Sequence, residues 1–238
     1  MCGRFTDMYT WEEIYAYYEM IGELILNWGP NFNVCPTQDV GVVVPFEGKR
    51  KFERMRWGLI PGWWNKPLKE LRLATFNARA ETVRTKPFFR GAFKSSRCLM
   101  PVSGYYEWHY ENPDDKKEKP QPYYFTRRDG GLMTVAALCD TWRDKTWRDK
   151  TEGRDVRSCA MVITEPNEFV AQVHDRMPVI LEKPQFEQWM NGTPDEAAEL
   201  MKPAAEDVLQ RWPVSKRINS SRASGEDRTL IEPIALAA

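Results

Sequence analysis

Val40-Gly41-Val42-Val43-Val44-Pro45-Phe46, then Glu47-Gly48-Lys49, then Lys51-Phe52-Glu53-Arg54-Met55-Arg56-Trp57 reads as a β-hairpin. The first arm is rich in β-branched valines, the pattern of a strand buried on both faces. Gly48 supplies the turn, and Lys51 to Trp57 returns as the second arm. The same grammar recurs downstream. Arg97 to Val102 is a strand, Ser103-Gly104 turns, and Tyr105 to His109 is a second strand. Tyr123 to Arg127 and Leu132 to Leu138 read as another hairpin around Asp129-Gly130-Gly131. Ser158 to Thr164 and Val179 to Leu181 are further apolar strands. Helices are fewer. Thr10-Trp11-Glu12-Glu13 has capping-box form and predicts a helix to about Ile21, with Ile14, Tyr17, Tyr18 and Ile21 on one face. Short helices are predicted at 167–173 and 183–190, and another opens at Thr193-Pro194-Asp195-Glu196 with N-cap, proline and acid in their favoured places. Mixed strands and helices over 238 residues, 42% of them hydrophobic, fit one large α+β domain or two small ones.

The chain opens on Met1-Cys2-Gly3-Arg4-Phe5, with no polar leader. A small residue at position two predicts removal of Met1. Cys2 would then carry a free α-amine and a thiol on adjacent carbons. An α-amine titrates near ~8, so roughly a tenth is neutral and nucleophilic at pH 7. A nearby cation such as Arg4 would lower the thiol. A 1,2-aminothiol is matched to an aldehyde: the amine forms a Schiff base and the thiol closes a thiazolidine. The alternative is that Cys2 is a small buried hydrophobe at the start of a strand.

No segment is apolar and long enough to span a bilayer, and no signal peptide is present. Five scattered cysteines (Cys2, Cys35, Cys98, Cys139, Cys159) form no CxxC pair, so neither a metal site nor a disulfide framework is expected. Net charge is zero, yet Lys49 to Arg97 holds fourteen Lys/Arg against three Asp/Glu. That excess predicts a basic face for an anionic partner. Aromatics interleave the cations, among them Phe52, Trp57, Trp63, Trp64, Phe76, Phe88, Phe89 and Phe93. Cations for phosphates and flat rings for bases suit single-stranded nucleic acid. Charges balanced in three dimensions are the bland alternative.

Three runs within this frame carry chemistry. In Trp57-Gly58-Leu59-Ile60-Pro61-Gly62-Trp63-Trp64, Trp57 is expected to anchor the core, while Trp63 or Trp64 is placed to stack on or wedge into a strand. In Thr75 to Thr82, an extended backbone puts Asn77 and Arg79 on one face. Asn77 can orient an amine or a sugar hydroxyl, and Arg79 can grip a phosphate. In Tyr105-Tyr106-Glu107-Trp108-His109, Glu107 lies between aromatics, so burial should raise its pKa toward general acid–base range. The chain has only two histidines, His109 and His174. His174-Asp175-Arg176-Met177-Pro178 could serve proton transfer, although a lone histidine is more often structural. Two histidines without matching ligands do not suggest a metal. Residues 141–150 repeat the pentad Thr-Trp-Arg-Asp-Lys and read as a lengthened surface loop in which Trp142 packs. Residues 219–238 read as a loose C-terminal tail.

Taken together, these stretches resemble the SOS-response-associated peptidase (SRAP) family of abasic-site-processing proteins. The resemblance is carried by Met1 to Phe5, Asn33-Val34-Cys35-Pro36-Thr37, Trp57 to Pro61, Asn77 to Thr82, Arg97 to Pro101, Gly104 to Trp108, His174 to Pro178 and Pro213-Val214-Ser215, in order along the chain. It implies a single α+β domain over 1–238, with curved antiparallel sheets forming a barrel-like core and flanking helices. It implies a monomer with no cofactor and no metal, acting in the bacterial cytoplasm near replication forks on single-stranded DNA with abasic sites. It implies that Cys2, exposed by loss of Met1, traps the sugar aldehyde as a covalent thiazolidine. In that scheme Asn77 holds the amine and sugar, Glu107 is general acid/base, and His174 is a second proton-transfer group. Arg4, Arg79, Trp63, Trp64 and Pro36 form the DNA-contacting set. The family's loop usually carries Ala where this chain has Cys35, and the 141–150 duplication is an addition. Two other readings stay open: a cysteine peptidase acting on other proteins, and a non-covalent reader of single-stranded DNA.

Overall fold

The structure is a computed structural model, and it describes residues 2–21, 29–112, 119–144 and 154–236. Among the described residues there are thirteen strands: β1 (Phe5–Asp7), β2 (Asn31–Val34), β3 (Asp39–Phe46), β4 (Lys49–Trp57), β5 (Asn77–Arg79), β6 (Arg97–Val102), β7 (Gly104–His109), β8 (Gln121–Arg127), β9 (Met133–Asp144), β10 (Arg154–Thr164), β11 (Met177–Pro178), β12 (Ile180–Leu181) and β13 (Leu209–Pro213). Helices are α1 (Trp11–Tyr18), α2 (Pro87–Ser95), α3 (Glu168–Ala171), α4 (Phe186–Asn191) and α5 (Pro194–Glu199). The architecture is α+β. Strands β10, β4, β3, β6 and β9 pair in succession, and β9 pairs back to β10, closing a barrel. Closure leaves none of the five with a free edge. A second sheet runs β13-β8-β7-β1-β2. No helix among the described residues is long and apolar enough to cross a membrane.

The hairpin of β3 and β4 forms as expected, paired from Asp39↔Arg56 to Phe46↔Lys49. Val40 through Val44 are all buried. Val40, Val42 and Val44 share one apolar cluster with Met55, Trp57, Met100 and Met161. Val43 faces the other way, toward Trp11, Ile14 and Tyr18 of α1 and Trp189 of α4. The two clusters are the two faces of the barrel wall, as period-two strands require.

Several local expectations are corrected. Asp129-Gly130-Gly131 does not close a hairpin: β8 lies in the five-stranded sheet and β9 in the barrel. Ser103-Gly104 likewise carries the chain from barrel to sheet. A tight turn fixes a change of direction; it does not specify which strand is the partner. The barrel also includes parallel pairing, β10 with β4 and with β5. α1 ends at Tyr18, short of Ile21, because Glu19 turns left-handed (φ 50°) and Met20 bridges to Arg50. Thr141 to Asp144 are not loop but the end of β9, paired with Arg154 to Arg157. Trp142 is buried and donates to the Trp64 carbonyl at 2.6 Å. The rest of the duplication, 145–150, lies outside the described residues. The C-terminal segment is not loose. Leu230 is buried, Val214 bridges Pro233, and the Phe32 N–H donates to the Gly225 carbonyl.

Candidate functional site

Chain termini usually fray unless a strand ties them down. Here β1 lies inside the five-stranded sheet, with Phe5 opposite Tyr105 of β7 and Val34 of β2. Two flanking partners draw the residues before it into the core. Cys2 is fully buried and packs in the cluster that holds Phe5, Trp57 and Tyr105. Its thiol is pushed well up by burial and by the Glu107 charge, while the N-terminal positive charge and the Arg4 backbone act the other way. The expected lowering of the thiol is therefore overturned. Desolvation favours the neutral sulfur more than the N-terminal charge and the Arg4 backbone can offset.

Asn77 reaches the same place from the barrel side. β5 pairs parallel with β10, Asn77 opposite Met161, and Asn77 Nδ2 donates to the Cys2 carbonyl at 2.8 Å. Asn77 Oδ1 is buried without a hydrogen-bond partner among the described residues. Glu107 enters from β7, only 1% exposed. Burial pushes it up to about 8; the N-terminal charge draws it down and the Asp175 carboxylate pushes it up. The expectation of a raised carboxyl between aromatics holds. His174 follows α3, with its Nε2 3.6 Å from Glu107 Oε2. Its Nδ1 accepts from the Arg176 N–H at 3.0 Å, which leaves the proton of the neutral ring on Nε2, toward Glu107. Burial and the N-terminal charge lower His174, against the Asp175 carboxylate, whose Oδ1 lies 3.1 Å from Nδ1. Asp175 thus raises both Glu107 and His174. Only its position beside His174 signalled it.

The residues expected to contact DNA are more dispersed. Arg4 is buried; its Nη1 donates to Asn33 Oδ1 at 2.7 Å and to the Ile218 carbonyl at 3.0 Å, and its guanidinium lies over Trp108. That hydrogen bonding ties the N-terminal strand to the C-terminal segment. Asn33 gave no local sign of this role. Pro36 is half-buried and Arg79 is exposed. Trp63 is 56% exposed and forms an aromatic group with Trp64 and Phe88, its indole N–H donating to the Pro87 carbonyl. Lys66, Lys86, Arg90 and Lys94 lie exposed on the same loop and on or beside α2. Not every cation of the basic run faces solvent: Arg97 is buried and donates to the Phe93, Lys94, Trp189 and Gly192 carbonyls.

A family model described as SOS response associated peptidase (SRAP) matches residues 1–221. The chain belongs to the SRAP family. It is 31% identical over 228 residues to the abasic site processing protein YoqW of Bacillus subtilis, covering 93% of this chain and 96% of that protein. It is 26% identical to the abasic site processing protein YedK of Escherichia coli, covering 98% and 100%. A crystal structure of a Bacteroides thetaiotaomicron protein superposes with a TM-score of 0.85 at 23% identity, covering 98% of this SRAP chain and all of that one. That likeness is one of fold. Among the described residues no group of His, Cys, Asp or Glu could hold a metal ion.

Proposed function

We propose that this SRAP protein captures abasic sites in single-stranded DNA as a covalent thiazolidine at Cys2, shielding the lesion. The observation that carries the reading is the meeting of Cys2, Asn77, Glu107 and His174 from four separate segments, with Asn77 holding the Cys2 carbonyl. Relatives named for abasic-site processing add weight. Hydrolysis of the Met1–Cys2 bond frees the α-amine and removes the residue bonded to it. The unfilled Asn77 Oδ1 is placed to accept from that amine, leaving its lone pair for attack. The amine adds to C1 of the ring-opened sugar. Glu107, protonated at neutral pH by its raised pKa, donates one proton and the nitrogen a second, so that the carbonyl oxygen leaves as water and an iminium remains. The thiol then adds to it; its sulfur bonds to C1, and its proton returns to Glu107, directly or by way of His174. One water is lost overall. Arg79 and the exposed lysines and arginines near α2 meet phosphates, and Trp63 stacks on a base beside the lesion. The set is complete within one chain, so a monomer suffices.

The test is intact mass after incubation with single-stranded DNA bearing one abasic site, followed by denaturation. The expected product is protein lacking Met1 plus DNA minus one water, unchanged by borohydride. Cys2→Ala should lose this product while still retaining DNA without denaturation. An adduct trapped only by borohydride would mean a transient Schiff base and a lyase. Absence of any adduct, with turnover of added peptides, would favour the peptidase reading.

A further inference from the structure

Four tyrosines are fully buried: Tyr18, Tyr105, Tyr106 and Tyr124. Three satisfy their hydroxyls. Tyr18 pairs with Thr134 Oγ1 at 2.7 Å, Tyr106 donates to the Phe32 carbonyl at 2.8 Å, and Tyr124 pairs with Thr6 Oγ1 at 2.8 Å. The Tyr105 hydroxyl has no hydrogen-bond partner among the described residues. A buried hydroxyl left unpaired carries the full cost of its lost hydration. A phenylalanine would fill the same space without that cost, so the oxygen calls for a use.

Its surroundings indicate the use. Strand alternation puts Tyr105 on the same face of β7 as Glu107, and across from Phe5 of β1. The ring is held by Phe125, stacked at 5.0 Å between centroids and 7° between planes. It shares its apolar cluster with Cys2. The phenol is pushed well up, first by burial and then by the charges on Cys2 and Glu107, so it stays protonated and available as a donor.

We propose that Tyr105 is a further catalytic residue, its hydroxyl donating a hydrogen bond to the aldehyde oxygen of the ring-opened sugar as the Cys2 amine attacks. The inference rests on the function proposed above. The carbonyl oxygen gains negative charge as the C–N bond forms, and the phenol stabilises it without giving up its proton. That oxygen then takes one proton from the attacking nitrogen and one from Glu107, and it departs as water. Asn77 Oδ1, the unfilled acceptor, serves the amine; Tyr105, the unfilled donor, serves the oxygen. The two orphaned groups thus fit the two polar ends of one addition step.

Tyr105→Phe tests this with three readouts: thermal stability, affinity for single-stranded DNA carrying a tetrahydrofuran abasic analogue that has no aldehyde, and the single-turnover rate of adduct formation on a true abasic site. The expected result is an unchanged or raised Tm, unchanged analogue affinity, and an adduct rate slower by on the order of ten- to a hundredfold. A wild-type rate in the variant would overturn the role of Tyr105 alone. So would a slower rate matched by lost analogue affinity or a lowered Tm. If wild-type protein forms no adduct, the functional reading falls and this inference with it. Should the variant fail to fold, site-specific 3-fluorotyrosine at position 105 replaces it: its more acidic hydroxyl should raise the adduct rate, and an unchanged rate would refute the proposal.

Discussion

Glu107→Gln should make the protein more stable and less active, with the gain in stability growing with pH. The carboxyl is almost wholly enclosed, and burial raises it from 4.5 to about 8. Between those values the folded chain holds a proton that the unfolded chain has released. Stability contributed at this site therefore falls as pH rises through that window. At 1.36 kcal/mol per unit, the loss is below about 1 kcal/mol at pH 5, about 3 kcal/mol at pH 7 and about 5 kcal/mol at pH 9. Glutamine has the same shape and no titration, so the variant escapes this penalty. Urea unfolding of both proteins at pH 5, 7 and 9 measures the difference. It should be small at pH 5 and widen by about 4 kcal/mol at pH 9. Adduct formation should fall about a hundredfold or more in the variant, since an amide cannot relay a proton, and the wild-type rate should decline above about pH 8. Parallel stability curves for the two proteins across this range would refute the reasoning, because they would mean that Glu107 is ionised in the folded state as it is in water.

Other outcomes follow from single contacts. Trp63→Ala should leave Tm within about 1 °C, since the ring is mostly exposed, yet weaken single-stranded DNA binding by about 1–3 kcal/mol in a titration at fixed salt. Asn77→Ala should slow adduct formation about tenfold in a single-turnover assay by freeing the Cys2 carbonyl. Arg97→Ala should cost about 3 kcal/mol or more in chemical denaturation, because it strands the carbonyls at Phe93, Trp189 and Gly192. Gly104→Ala should be similarly damaging, since a Cβ there would sit 2.6 Å from the Phe125 carbonyl oxygen, backbone that cannot swing aside; soluble yield and Tm report it.

The two ends of the molecule show how far local sequence reaches. The capping box at Thr10 and Glu13, the hairpin at 40–57 and the capped start at Thr193 formed as read, because each depends on residues a few positions apart. The direction of the Glu107 shift was legible from its aromatic-rich strand, while the burial that causes it comes from the fold. What local sequence determined was the set of elements and the residue types capable of aldehyde and proton chemistry. Their partners needed the fold. Nothing near Asp129 says that β8 and β9 separate into different sheets, and nothing near Asn219 says that Arg4 holds the Ile218 carbonyl and Asn33 Nδ2 the Ala223 carbonyl. The thiol was misread because a neighbouring cation is visible in sequence while burial is not. Cys2 is desolvated by Tyr105, Trp57 and their neighbours, brought in from strands far along the chain. Asn77, Glu107 and His174 are separated by tens of residues, and only barrel closure and the placement of β1 inside the second sheet set them around one sulfur. Hydrogen-bond reach and dielectric are properties of three-dimensional surroundings, so tertiary structure decided them.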